Sequence, residues 1–148
     1  MPQSYYKIWL HVVFSTKCRL PLIEPRVERQ IHDHMREQLI ELGCPVRIIN
    51  GMSDHVHLLF LHNPRMTIAD VVKQVKGNTS HWINKNDLTQ FKFSWQDGYG
   101  AFSVSESQLE RVFQYIRNQK QHHAKKLFSQ EYDEFIAAHG LVKEKETA

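Results

Sequence analysis

The feature that most constrains the fold is the short apolar run His55-Val56-His57-Leu58-Leu59-Phe60, which follows turn residues at 51–54. Its length and its aliphatic and aromatic content predict a β-strand. Alternate residues of a strand point to the same side, so His55 and His57 would lie side by side on one face. Neutral imidazole is the commonest protein metal ligand, and two of them make half of a divalent-cation site. The alternative is a histidine pair on a half-exposed strand that binds nothing.

The other predicted elements are strands interspersed with amphipathic helices. Clusters of aromatic and β-branched residues predict strands, and apolar residues three or four apart predict helices. Thr67 with Asp70, and Ser105 with Gln108, have the spacing of helix-capping boxes. In order, we predict a strand over 5–14, a helix over 25–42, strands over 46–49 and 55–61, a helix over 67–86, extended segments at 91–95 and 101–104, a helix from 105 to about 122 or 123, and a last helix over 127–140.

The order β-α-β-β-α-β predicts an α+β fold of the ferredoxin-like or RRM-like type, with additional C-terminal helices. In this fold the first and third strands are central neighbours of an antiparallel sheet, and both helices cover one face. The residues expected on the helix side are Ile8, Leu10, Val12, Phe14, Val56, Leu58 and Phe60, and those expected on the open face are Trp9, His11, Val13, His55, His57 and Leu59. His11 would then lie near the histidine pair, although a structural role for it is the alternative.

Length and composition indicate one soluble domain. A chain of 148 residues fits a single domain, which we place at 1–140, with a disordered Lys/Glu-rich tail at 141–148. The formal charge of +3 permits a polyanionic partner without requiring one. Cys18 and Cys44 form no zinc-binding or disulfide pattern, and we find neither a membrane-spanning run nor a signal peptide. We therefore expect a cytoplasmic protein with no membrane association.

The predicted helix that begins at 105 carries Tyr115 and Gln119, which are four residues apart and would share one face. A glutamine carbonyl is a neutral oxygen ligand that suits a hard cation such as Mg²⁺ or Mn²⁺. A tyrosine phenol can act as a covalent nucleophile. The alternative for Tyr115 is ordinary packing at the edge of the apolar stripe of its helix.

These motifs, in this order, resemble the IS200/IS605-type single-tyrosine transposases of the HUH superfamily, including transposase-like relatives associated with repeated palindromes. The resemblance is carried by His55-Val56-His57 and by Tyr115-xxx-Gln119, and it extends over about residues 5–140. Further matching segments are His11-Val12-Val13-Phe14-Ser15-Thr16-Lys17, Asp54-His55-Val56-His57-Leu58-Leu59, Val71-Val72-Lys73-xx-Lys76-Gly77 and Trp95-Gln96-xx-Tyr99-xx-Phe102-Ser103-Val104-Ser105.

The resemblance implies a DNA strand cleavage and transfer reaction. It implies that His55, His57 and Gln119 hold Mg²⁺ or Mn²⁺, and that Tyr115 attacks a phosphate of hairpin-containing single-stranded DNA. The products would be a 5′-phosphotyrosine and a free 3′-hydroxyl, formed without a nucleotide cofactor. The resemblance also implies a homodimer, with Tyr115 acting in its own or its partner's site, and a bacterial or archaeal, nucleoid-associated protein.

Basic and aromatic residues outside the motifs are candidates for contact with DNA. Phosphates are contacted mostly by such cations, and aromatic rings can stack on unpaired bases. For each of these residues the alternative to DNA contact is an ordinary role, as a solvated charge on the surface or as an aromatic side chain in the core. The candidates are Lys17, Arg19, Lys73 and Lys76 for phosphates, Trp9 and Tyr99 for bases, and His122 and His123 for packing or phosphate contact, with metal ligation as the alternative for the two histidines.

Three other functions compete with a transposase. A catalytically silent or domesticated hairpin-binding module could keep every one of these motifs. An RRM-like module would instead bind nucleic acid on an open sheet face through exposed aromatic residues. A histidine phosphoesterase usually needs a second motif related by internal symmetry, and this chain has a single His-hydrophobe-His motif.

Overall fold

The computed structural model describes residues 3–122, and the predictions for His123, for the helix over 127–140 and for the tail at 141–148 lie outside them. Two 3-10 turns, Lys17–Arg19 and Glu106–Gln108, accompany the regular elements. These elements are β1 (Trp9–Ser15), α1 (Pro25–Glu41), β2 (Val46–Met52), β3 (His55–Leu61), α2 (Ile68–Lys85), β4 (Gly100–Val104), α3 (Leu109–Arg117) and α4 (Gln119–His122).

The four strands form one antiparallel sheet in the order β2-β3-β1-β4. β1 and β3 are therefore the central neighbours, as the βαββαβ order predicts, and the α+β fold is confirmed. Their register sets His57 opposite Val13 and His55 opposite Ser15. The histidine pair consequently lies where β3 begins and β1 ends.

One face of the sheet packs against α1 and α2 and forms the apolar core. The central strands contribute Leu10, Val12 and Phe14 from β1 and Val56, Leu58 and Phe60 from β3. Each such buried side chain stabilises the fold by about 1.5–3 kcal/mol. The helices contribute residues at helical spacing, Val27, Ile31, Met35 and Leu39 from α1 and Val71, Val72, Val75 and Ile83 from α2.

The predicted helix starts are confirmed at one capping position and wrong at another. The Thr67 hydroxyl accepts a hydrogen bond from the Asp70 amide at 3.1 Å and caps α2. Ser105 makes no side-chain capping bond, because a 3-10 turn begins there and its hydroxyl lies 3.1 Å from that of Ser107.

Two predicted extended segments are shorter than expected. Residues 5–8 precede β1 and are exposed, because β1 pairs with β4 only from Trp9 onward. Ile8 therefore does not join the core. The segment 91–95 forms only the isolated bridge between Trp95 and Thr16. β4 already occupies that edge of β1, which leaves the segment no strand to pair with.

The predicted helix from 105 is interrupted. α3 ends at Arg117, Asn118 has non-helical dihedral angles, and α4 begins at Gln119. Tyr115 and Gln119 therefore lie on two successive helices rather than on one face of a single helix.

We predict that Gly51→Ala destabilises the β2–β3 hairpin. A Cβ at Gly51 would overlap the backbone oxygen of His55 and approach the Val56 Cα to 2.9 Å. Overpacking of this kind costs about 1–3 kcal/mol, to be measured as the free energy of unfolding in urea.

Gly77→Ala is the matched control, because a Cβ there meets nothing within 4 Å. This helical site should gain about 0.5–1 kcal/mol. Equal stability changes at the two glycines would contradict the close approach at Gly51.

Candidate functional site

The histidine pair lies on the sheet face opposite the core. His55 and His57 are 0% and 4% exposed, and His11 on β1 is 1% exposed. The face predicted to be open is therefore closed at this position. α3 and α4 lie against β2, where the Asn50 side chain bonds to the end of α3.

His55 has one ring nitrogen directed to a carboxylate and the other to a carboxamide. Its Nδ1–H donates to Asp54 Oδ1 at 2.8 Å, and its Nε2 lies 3.1 Å from Gln119 Oε1. A carboxylate only accepts, so Asp54 fixes the proton of a neutral His55 ring on Nδ1. The Nε2 lone pair then faces the Gln119 oxygen, and a shared proton or a shared cation would satisfy both acceptors.

The distance between these two acceptors fits a cation. In an octahedral site with bonds of about 2.1 Å, adjacent ligand atoms are about 3.0 Å apart, close to the 3.1 Å between His55 Nε2 and Gln119 Oε1. Within residues 3–122, no three His, Cys, Asp or Glu side chains come together as a metal site. Gln119 would therefore be needed as a ligand beside the two histidines.

His57 is held by His11. Its Nδ1 lies 2.8 Å from His11 Nε2, and the two rings stack with their centroids 5.0 Å apart. If His57 presents Nε2 to a ligand, its Nδ1–H donates to His11. Thus a second residue orients each histidine of the pair, an arrangement typical of metal-ligating histidines.

Tyr115 completes the cluster from α3. Its ring centroid lies 5.8 Å from that of His57 and 6.4 Å from that of His11. The structure thus brings together, from one chain, the four residues that the sequence singled out, although Gln119 arrives from the helix after the break.

The contact of Asp54 with His55 was not predicted, although Asp54 was placed in the turn and in one of the segments that carry the family resemblance. The available signal was its position directly before the first histidine, at the point where the turn enters the strand. His11 was correctly expected near the pair, but its contact with His57 depends on the β1–β3 register.

Two predicted DNA contacts lie beside the site. Lys17 and Arg19 are exposed on the 3-10 turn that follows β1. The Thr16 amide donates to the Asp54 carbonyl at 2.8 Å, which holds this turn next to the histidine strand. The turn therefore presents positive charge at the rim of the candidate site.

The two predicted lysines of α2 differ. Lys73 is exposed. The Lys76 ammonium donates to the carbonyls of Gln96 at 2.7 Å and Gly98 at 3.1 Å, and burial lowers its pKa. Lys76 thereby fixes the segment that leads to Tyr99.

The predicted base-stacking residues lie at separate places. Tyr99 is 39% exposed beside the segment held by Lys76. Trp9 donates to Glu106 Oε2 at 3.1 Å, at the opposite end of β1 from the histidine pair. His122 is the last described residue of α4.

Comparisons with known proteins agree with one another. The sequence profile described as "Transposase IS200 like" matches residues 4–119. The ISDra2 transposase TnpA of Deinococcus radiodurans is 27% identical over 119 residues, covering 77% of this chain and 85% of the relative.

Two solved structures share the fold. One is a crystal structure of a Deinococcus radiodurans R1 protein assigned as a transposase, with a TM-score of 0.64, 28% identity, and coverage of 80% of this chain and 98% of that one. The other, a REP-associated tyrosine transposase bound to a REP hairpin, has a TM-score of 0.58 and 9% identity, and covers 84% of this chain and 72% of that one. At that identity it shows the fold alone. None of the helices within residues 3–122 is long and apolar enough to span a membrane.

Proposed function

The chain belongs to the IS200-like transposase family, and from that membership we propose that it cleaves and rejoins single-stranded DNA with Tyr115 as its nucleophile. The observation that supports this most is the meeting of Tyr115 with His57 and of Gln119 with His55 on a buried face of the sheet. A sheet face covered in this way does not favour the RRM-like mode of binding, which needs that face open.

The proposed reaction is a transesterification at phosphorus. The phenol oxygen of Tyr115 attacks a DNA phosphate and gives up its proton, the bond from phosphorus to the 3′-oxygen breaks, and that oxygen takes up a proton. The products are a 5′-phosphotyrosine and a 3′-hydroxyl. The phosphodiester bond is exchanged rather than hydrolysed, so a second 3′-hydroxyl can reverse the step and join new ends.

The residues proposed to hold a divalent cation, Mg²⁺ or Mn²⁺, are His55, His57 and Gln119. Such a cation supplies Lewis-acid stabilisation of the charge that develops on the phosphate oxygens. The Asp54 carboxylate keeps the His55 imidazole in the tautomer that presents an Nε2 lone pair, and the contact with His11 orients the His57 ring. Their burial excludes water, which strengthens each of these polar contacts.

The proposed substrate is a DNA hairpin with a single-stranded flank. The fold is shared with a transposase whose structure contains a REP hairpin, which supports this choice. Lys17 and Arg19 would contact phosphates at the rim of the site, and Lys73 would do so from α2. Lys76 adds positive charge behind the segment that leads to Tyr99, whose exposed ring can stack on an unpaired base.

The proposed assembly is a homodimer in which each site uses its own tyrosine. The distance of 5.8 Å between the Tyr115 and His57 rings within one chain supports catalysis in cis.

We predict that Tyr115→Phe abolishes cleavage and leaves hairpin binding intact, because only the nucleophilic oxygen is removed. The measurement is denaturing electrophoresis after incubation with single-stranded oligonucleotides from the flanks of the gene. The wild type should form a covalent adduct that maps to Tyr115. Cleavage by Tyr115→Phe at the wild-type rate would contradict the assignment. Hairpin binding without any adduct in the wild type would instead support a silent binding module.

We predict a graded loss of Mn²⁺ binding, measured by electron paramagnetic resonance of the unbound ion. His55→Ala should abolish binding at the site because it removes a ligand. Asp54→Ala should weaken it about 10–100-fold, because it removes only the residue that orients that ligand. Asp33→Ala, an exposed carboxylate on α1, is the control and should bind as the wild type does. Unchanged Mn²⁺ affinity in His55→Ala would refute the cation site.

We predict that His55→Ala and Tyr115→Phe do not complement each other when mixed. In cis catalysis each chain lacks one essential group, so no mixed dimer contains a complete site. The measurement is adduct formation after subunit exchange, with the dimer verified by light scattering. Recovery of about a quarter or more of the wild-type adduct would show that the tyrosine acts in trans.

A further inference from the structure

Asn50 contacts the helix of Tyr115 and the helix of Gln119 at the same time. Its side-chain Nδ2 donates to the carbonyls of Ile116 at 3.0 Å and Arg117 at 3.1 Å, which are the last residues of α3. Its Oδ1 accepts from the Lys120 ammonium at 3.2 Å. Asn50 also lies directly opposite His57 in the β2–β3 pairing. A single side chain thus touches both sides of the break at Asn118.

Lys120 ties the second helix to two further elements. Its ammonium donates to Glu28 Oε1 of α1 at 2.6 Å and to the Gly51 carbonyl of β2 at 3.1 Å, in addition to Asn50. The three acceptors match the three N–H groups of an ammonium.

A contribution to the folding stability does not by itself explain this network. The Lys120 side chain is 54% exposed, and ion pairs with an exposed partner contribute little to the free energy of folding. The network does determine the relative orientation of the elements, because its donors and acceptors come from four of them. The residue next to Lys120 is Gln119, so holding Lys120 restrains the short helix from which the Gln119 side chain extends.

Because the helix is interrupted at Asn118, a contact of this kind is needed to orient α4. Since α3 ends at Arg117, the orientation of α3 does not by itself fix that of α4. The described part of α4 is a single turn, and short helices depend on tertiary contacts for their placement.

We propose that Asn50 and Lys120, with Glu28, are positioning residues that set the angle between the two helices and so hold Gln119 against His55 while Tyr115 lies beside His57. The importance of this angle for catalysis rests on the function proposed above. The positioning itself can be tested without catalysis.

The test compares Asn50→Ala, Lys120→Met and the conservative variant Lys120→Arg in the full chain. The first readout is the NMR signals of the Gln119 carboxamide and the His55 ring in metal-free, DNA-free protein. The second is Mn²⁺ affinity, and the third is the free energy of unfolding. The matched controls are Asn78→Ala and Lys92→Met, which alter exposed residues away from the network.

We expect Asn50→Ala and Lys120→Met to shift both NMR signals and to weaken Mn²⁺ binding about tenfold, as losses in the surroundings of a metal ligand do. Lys120→Arg should restore most of the affinity, because arginine can still donate to Glu28. At saturating Mn²⁺ the cleavage rate should recover in part, which a protein that is merely less stable would not show.

Unchanged His55 and Gln119 signals in both Asn50→Ala and Lys120→Met would overturn the inference, as would Mn²⁺ losses equal to those of the control variants. Failure of the proposed function would be seen differently, as a wild-type protein that forms no Tyr115 adduct. In that case the NMR comparison would still decide whether the network positions Gln119.

Discussion

The pairing of β1 with β3 is the constraint on which the rest of the structure depends. It arranges the side chains in two rows, one on each face of the sheet. Because successive side chains of a strand point to opposite faces, the placement of one row determines the placement of the other. The row of Val56, Leu58 and Phe60 is buried against α1 and α2, so the row of His55 and His57 must face the other way. A slip of one residue would move the histidines into the apolar core, which makes the register strongly specified.

The second face then has to accommodate buried polar groups. An unsatisfied buried donor or acceptor costs about 1–3 kcal/mol, so imidazoles that are almost fully buried need partners. Asp54 accepts from His55 at 2.8 Å and His11 lies 2.8 Å from His57, whereas His55 Nε2 and Gln119 Oε1, 3.1 Å apart, need a proton or a cation between them. The same contacts orient the rings, so the polar partners that the buried imidazoles need also set the geometry of the candidate site.

Local patterns in the sequence were sufficient for much of this structure. The two long helices follow from apolar spacing and from the cap at Thr67, and the histidine strand follows from its composition. The interruption at Asn118 could not be predicted this way, because the contact that accompanies it comes from Asn50, 66 residues before its partner Ile116. The segment 91–95 has strand-like composition but lacks a partner edge, and only the sheet topology shows that. The closure of the second face likewise depends on where α3 packs, which no local pattern encodes.

The break at Asn118 changes what the spacing between Tyr115 and Gln119 means. In an uninterrupted helix, that spacing would place both side chains on one face of a single rigid element, and the two groups could only move together. Here the two side chains lie on separate helices that meet at Asn118, so their relative position depends on the angle between the helices. In this chain the Tyr-xxx-Gln spacing therefore spans a bend, and four residues along the sequence do not amount to one turn of a continuous helix.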